Sequence, residues 1–142
     1  MTVRVFTAQL GTWDEPVSLI ITPAEGTGIR ARAFYIPEAI ETKKRNGLQD
    51  AKNMEGHAAS IGDEWSAKWL ARKVWGEYLM ASMAEMRRSF RSYRDVWDKL
   101  LALPEVTLLC DCPDAAHCHR TLLAASILPS FGASYEGERQ KT

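Results

Sequence analysis

The segment Cys110-Asp111-Cys112-Pro113-Asp114-Ala115-Ala116-His117-Cys118-His119-Arg120 holds all three cysteines and two of the three histidines of the chain. Thiols, imidazoles and a guanidinium in so short a run admit three kinds of chemistry. The first is nucleophilic or anion-binding. A thiol at a helix start beside Arg or His⁺ is held as thiolate, because the helix dipole and the cation both favour negative charge. On that reading Cys118 is the nucleophile or acid and His119 the proton carrier. Arg120 is the anion clamp, its planar donor fork suited to a phosphate or carboxylate. Cys110, Cys112 and His117 complete the candidate ligand-binding set, and Cys118 is expected to react faster than Cys110, which sits at the end of an apolar run. Seven residues separate Cys112 from Arg120, too many for the phosphate loop of a cysteine phosphatase. The second chemistry is zinc binding, for which Cys110, Cys112, His117, Cys118 and His119 are all capable ligands. Three of them are consecutive, a poor match to the spaced pairs of a tetrahedral site, so no metal or other cofactor is assigned. The third reading is structural: cysteines are commonly buried, and His119 and Arg120 can cap or bridge elements, Arg120 through a buried ion pair.

The flanking residues say what positions this segment. Val106 to Leu109 is apolar and β-branched at its start, which reads as a buried strand, and the Leu122, Leu123, Ile127 spacing after Thr121 reads as a helix with one apolar face. Strand, polar loop, helix is the order that places ligands in open α/β folds. Val3 to Ala8 and Val17 to Ile21 read as strands joined by a turn over Gly11 to Glu15, and Ala31 to Ile36 as a short strand after a loop at Ala24 to Gly28. Pro37 to Lys44 reads as a helix with proline early. Residues 46–62 are polar and small, with three glycines and no periodicity, and read as an exposed loop.

Leu79, Met83, Met86, Phe90, Tyr93, Trp97 and Leu100 recur at spacings of 4, 3, 4, 3, 4 and 3, an apolar stripe on one long amphipathic helix that packs on the sheet. Arg87, Arg88, Arg91 and Arg94 fall outside the stripe and read as a solvated face. Upstream, Asp63 is a candidate N-cap for a helix over Glu64 to Tyr78, with Gly76 marking a kink or a break. Trp65, Trp69, Trp75 and Tyr78 on that helix have the chemistry to stack on bases, but their spacing is also that of a core-facing helix, and core packing is the expectation.

At 142 residues the chain is expected to form one domain, residues 1–142, with a core large enough to need neither disulfide nor metal. Eighteen basic residues balance eighteen acidic ones, so net charge gives no indication of nucleic acid, although a local patch could bind it. No run approaches the roughly 18 apolar residues of a membrane span, and the N-terminus leads into a strand instead of a signal peptide. An odd number of crowded cysteines suits a reducing, cytoplasmic compartment.

Val106-Thr107-Leu108-Leu109-Cys110, a short acidic loop, then Cys118-His119-Arg120 and an apolar helix resembles the C-terminal signature of the family named domain of unknown function 488. The resemblance extends to Glu85–Arg91, Trp97–Leu101 and Gly132–Glu138. It implies a single-domain α/β protein of the kind found in phages and bacteria, and no established reaction. Relatives carry an Asp-x-Arg after the second strand, whereas this chain reads Leu19-Ile20-Ile21-Thr22 there, so Arg30 or Arg32 would have to supply that cation. The expected architecture is a Rossmann-like three-layer α/β sandwich with a mostly parallel sheet. The expected function is binding of a small anionic ligand, a nucleotide or phosphorylated nucleoside, above Cys110 to Arg120 by an enzyme of nucleotide or nucleic-acid modification. The alternatives are a non-catalytic protein that sequesters a nucleotide or inhibits a host protein, and a zinc-stabilised interaction module.

Overall fold

The computed structural model describes residues 2–61, 64–112 and 117–139, apart from the side chains of 58–61. The chain forms two compact units, Met1–Tyr35 with Met86–Thr142, and Ile36–Glu85.

The first unit is built on five parallel strands: β1 (Arg4–Gln9), β2 (Ser18–Ile20), β3 (Ile29–Arg30), β4 (Glu105–Cys110) and β5 (Ser134–Arg139), in the order β3-β2-β4-β1-β5. The α/β class and its parallel sheet are as expected. β4 lies at the centre and is buried at every residue from Val106 to Cys110, as a parallel strand covered on both faces of a layered α/β sheet must be. Register pairs Gln9 with Cys110 and Ile20 with Leu109, so β1, β2 and β4 end together. Ala31 to Ile36, expected as a strand, is mostly other structure: pairing ends at Arg30, and Arg32–Phe34 is a single 3₁₀ turn that buries Phe34.

The apolar stripe is real, but it is divided between two helices. α2 (Glu64–Ser92) gives way to α3 (Arg94–Leu101) at Tyr93, which is 48% exposed, while Met86, Trp97 and Leu100 are buried. Trp97 shows why the break is needed. Its ring meets Phe34, Phe90 and Phe131 at centroid distances of 4.8, 5.5 and 5.1 Å, and its Nε1 donates to Ser89 Oγ at 3.0 Å. Ser89 donates in turn to Ala33 O. Turning at Tyr93 lets the chain bring both ends of this pair together. After β4 the expected helix changes pitch as it goes: α4 (His119–Leu122) passes into a π-turn, Leu123–Ile127, and a 3₁₀ turn, Leu128–Phe131. Gly132 closes it at φ +95°, the left-handed conformation that glycine adopts without strain.

The second unit is a pair of antiparallel helices, α1 (Glu38–Ile61) and the first part of α2. Residues 46–61, expected as an exposed loop, continue α1. They are largely exposed where their side chains are described, so polarity was read correctly and conformation was not. Gly47 acts as a contact point and not as a helix breaker: a Cβ there would lie 2.7 Å from a methyl of Val74, so glycine lets α1 and α2 approach. Tyr78 donates to Glu41 at 2.5 Å, and Lys44, 5% exposed, pairs with the same carboxylate at 3.1 Å. α2 runs through Gly76 without a break, and the proposed cap Asp63 lies outside the described residues. Trp65 and Trp69, expected in the core, are 72% and 51% exposed, because the buried line of α2 runs through Ala67, Tyr78, Ser82, Met86 and Ser89 instead. Among the described residues no helix is long and apolar enough to cross a membrane.

Candidate functional site

The carboxyl ends of β1 and β4 are neighbours, and the chain leaves them in opposite directions: after β1 it crosses β4 to reach β2, and after β4 it crosses β1 to reach β5. Such a switch point opens a crevice at the strand ends. Cys110 is the last residue of β4, and Cys118, with extended backbone, caps α4 just beyond. The expected strand-loop-helix order therefore holds at both edges of the segment.

Arg120 is 1% exposed and spends its donors inside the protein. Nε and Nη2 grip the Glu138 carboxylate of β5 at 3.0 and 2.7 Å, while Nη1 donates to Cys112 O at 2.6 Å and to Cys118 Sγ at 3.0 Å. Burial works against the guanidinium charge, but the Glu138 carboxylate and the nearby sulfurs offset it and raise the pKa of Arg120 further. The Arg120 hydrogen bond draws Glu138 below the usual carboxylate range against some burial, and Thr7 adds a second donor. Thr7 is itself bonded to Tyr135 OH at 2.8 Å. This is an ion pair between a buried guanidinium and a carboxylate at the surface, so Arg120 bridges elements as the structural reading allowed.

The sulfurs divide their roles through one shared proton. The Cys118 thiol hydrogen-bonds Cys110, and that bond is the main cause of a Cys110 pKa lowered to about 5. Burial opposes it, while His119 and the backbone N–H of Cys112 add to it. When protonated, the Cys110 thiol donates to Asp111 Oδ1 at 3.9 Å, a contact that disfavours its thiolate; Asp111 is exposed, where water screens its charge. Cys118 is pushed in the opposite direction, chiefly by donating to Cys110, then by Cys112 and by burial. Arg120 thus presents a donor to Cys118, and Cys118 presents its own to Cys110.

The candidate residues come together around one sulfur, but not in the order their sequence positions suggest. Cys110, Cys112, Cys118 and His119 converge, with Arg120 behind Cys118. Cys110 and Cys118 share a single charge: the Cys118 donor draws the Cys110 thiol down, while Arg120 Nη1 reaches Cys118 Sγ, the sulfur expected to carry it, at 3.0 Å. His119 is 4% exposed and its Nε2 has no hydrogen-bond partner among the described residues. His117 is half-buried. Arg30 bonds Pro23 O and Tyr35 OH, each at 3.4 Å. Among the described residues no group of three or more His, Cys, Asp or Glu side chains is arranged to hold a metal ion. Glu138 and Thr7 were missed from sequence; the one signal for Glu138 is that Gly132–Glu138 belongs to the stretch that resembles the family.

A family model described as the Active DUF488-N3 subclade, DUF488-N3a, matches residues 59–130, half of the chain. The match takes in α2, α3, β4 and every cysteine and histidine of the cluster. Comparison with curated proteins and with solved structures gives no match.

Proposed function

The chain belongs to the DUF488 family, and from that premise we propose that it is a thiol-dependent enzyme of nucleotide or nucleic-acid modification, with Cys110 as its nucleophile. The observation that carries this reading is the convergence of Cys118, His119 and the Cys112 N–H on the Cys110 sulfur at a switch point of the sheet. A structural cysteine needs no such set of donors, whereas a nucleophile gains thiolate at neutral pH from each of them. The description of the subclade as active supports catalysis over sequestration. Crevices of this kind in parallel sheets take nucleotides, which supports the substrate class.

In this mechanism the Cys110 sulfur attacks an electrophilic atom of the substrate, and the bond to the leaving group breaks as the S-linked intermediate forms. His119 carries the proton that the leaving group needs, its Nε2 having no hydrogen-bond partner among the described residues to compete. Water then attacks the intermediate, gives its proton back through His119 and regenerates the thiolate. Cys118 holds the charge on Cys110 by donating to it, and Arg120 fixes Cys118, so both are positioning residues. Arg120 as anion clamp gives way here to Arg120 as brace, because Glu138 already fills its fork.

The test is to incubate the protein with a panel of nucleosides, nucleotides and single-stranded oligonucleotides and to follow intact mass and product. A covalent adduct mapped to Cys110, with turnover lost in Cys110→Ser and retained in Cys112→Ser, supports the reading. Turnover that survives Cys110→Ser removes the nucleophile from the account.

A further inference from the structure

Trp65 and Trp69 lie one turn apart on α2, about 6 Å along the axis, and are 72% and 51% exposed. Large aromatic side chains are rarely left in water in pairs, since each forgoes a substantial gain from burial. The cations around them define what the pair faces. At 3.6 residues per turn, Lys68, Arg72, Trp65, Trp69 and Lys73 fall in that order round an arc of about 140°, and all five are exposed. That arc holds three positive charges and no acid. Lys73 Nζ sits 5.4 Å from the Trp69 ring centroid, and neither Lys68 nor Arg72 forms an ion pair among the described residues. Glu77, one turn on and to the flank, is turned to Lys43 at 3.9 Å.

We propose that the Trp65–Lys73 face of α2 binds single-stranded nucleic acid, with Trp65 and Trp69 stacking on bases and Lys68, Arg72 and Lys73 meeting the phosphates. Charge complementarity selects this occupant. A polyanion with flat apolar rings answers both halves of the face, and stacking needs bases free of a duplex. An anionic membrane is a poorer fit: insertion calls for a wide, continuous apolar side, and here two rings alone are flanked by cations on both sides. The chain's overall neutrality is no obstacle, because the nearest acids of this helix, Glu64 and Glu77, fall outside the arc on its two flanks and screening confines each patch to about 10 Å at ordinary salt. The face shares no residue with the Cys110 cluster, so this proposal stands or falls independently of the catalytic one.

The experiment is fluorescence anisotropy of a labelled oligothymidylate of about twenty nucleotides with the full-length chain, repeated with a hairpin duplex and with anionic phosphatidylglycerol vesicles. The expected result is saturable binding to the single strand, weaker binding to the duplex, and a slope of log K against log salt near −2, from about 0.7 per phosphate for three contacts. Trp65→Ala with Trp69→Ala should weaken binding at least tenfold at unchanged salt slope, as expected for lost stacking. Lys68→Gln with Arg72→Gln and Lys73→Gln should flatten the slope toward zero. All five side chains are exposed, so circular dichroism and melting temperature should be unchanged and a loss cannot be ascribed to unfolding. Equal affinity for duplex, no effect of the tryptophan pair, or vesicle binding without oligonucleotide binding each overturns the proposal. So does self-association that buries the two tryptophans.

Discussion

A single proton decides the chemistry of the cluster. In the proposed mechanism Cys118 keeps it, donating to Cys110 while accepting from Arg120 Nη1 at 3.0 Å. Cys118→Ala removes the donor that dominates the Cys110 shift, so the Cys110 pKa should rise from about 5 toward the ordinary thiol range, read by the pH dependence of its thiolate absorbance. Behind it, Arg120→Ala should cost about 2 kcal/mol in urea denaturation with no ligand present, below the roughly 3–5 kcal/mol for breaking a fully buried pair, since Glu138 is open to solvent and can rehydrate. Arg120→Lys should recover only part, because an ammonium cannot serve a carboxylate, a carbonyl and a sulfur from one plane. The sign of the pH dependence follows from Glu138. Its folded pKa is depressed, so its contribution is present above the unfolded carboxyl pKa and is lost as pH falls through the lowered folded value. Glu138→Gln should therefore flatten the acid limb of the stability curve, which wild type loses below about pH 4.

At the scale of elements, glycine is where pattern and structure part. Gly47 and Gly56 made residues 46–62 look like a loop, yet both lie inside α1, and they do different work. Gly47→Ala gains about 1 kcal/mol in helix propensity but must push a Cβ to 2.7 Å from Val74, so the net should be destabilising by about 1–2 kcal/mol in thermal denaturation. Gly56→Ala meets nothing within 4 Å and should stabilise by about 0.5–1 kcal/mol. The strands β1, β2 and β4 were legible because their apolar and β-branched runs are bounded by turn residues, and the α2–α3 stripe because its period is helical. The break at Tyr93 was not, since Tyr93 keeps the period; what turns the chain is the meeting of Trp97 with Phe34 and Phe131, which are distant in sequence.

At the scale of the molecule, the parallel class could be read from strands alternating with helices, but the order β3-β2-β4-β1-β5 could not. That order puts Cys110 between Gln9 and the loop from Ile20, and it brings β5 within reach of Arg120. β5 itself, Ser-Tyr-Glu-Gly-Glu-Arg, is an edge strand with little apolar content, so no hydrophobic pattern announced it or the carboxylate it carries. The sequence places Cys110, Cys112, Cys118, His119 and Arg120 in one segment but does not show Glu138 and Thr7 beside them, nor which thiol donates to which, because both are set by folding. The most direct test is the alkylation rate of each cysteine against pH, resolved by peptide mass spectrometry. Cys110 should label first, at a rate nearly flat from pH 8 to 6 and half-lost near pH 5, with Cys118 unlabelled in the folded protein. A Cys110 rate that falls about tenfold per pH unit below 8, as for an ordinary thiol, or faster labelling of Cys118, would contradict the account.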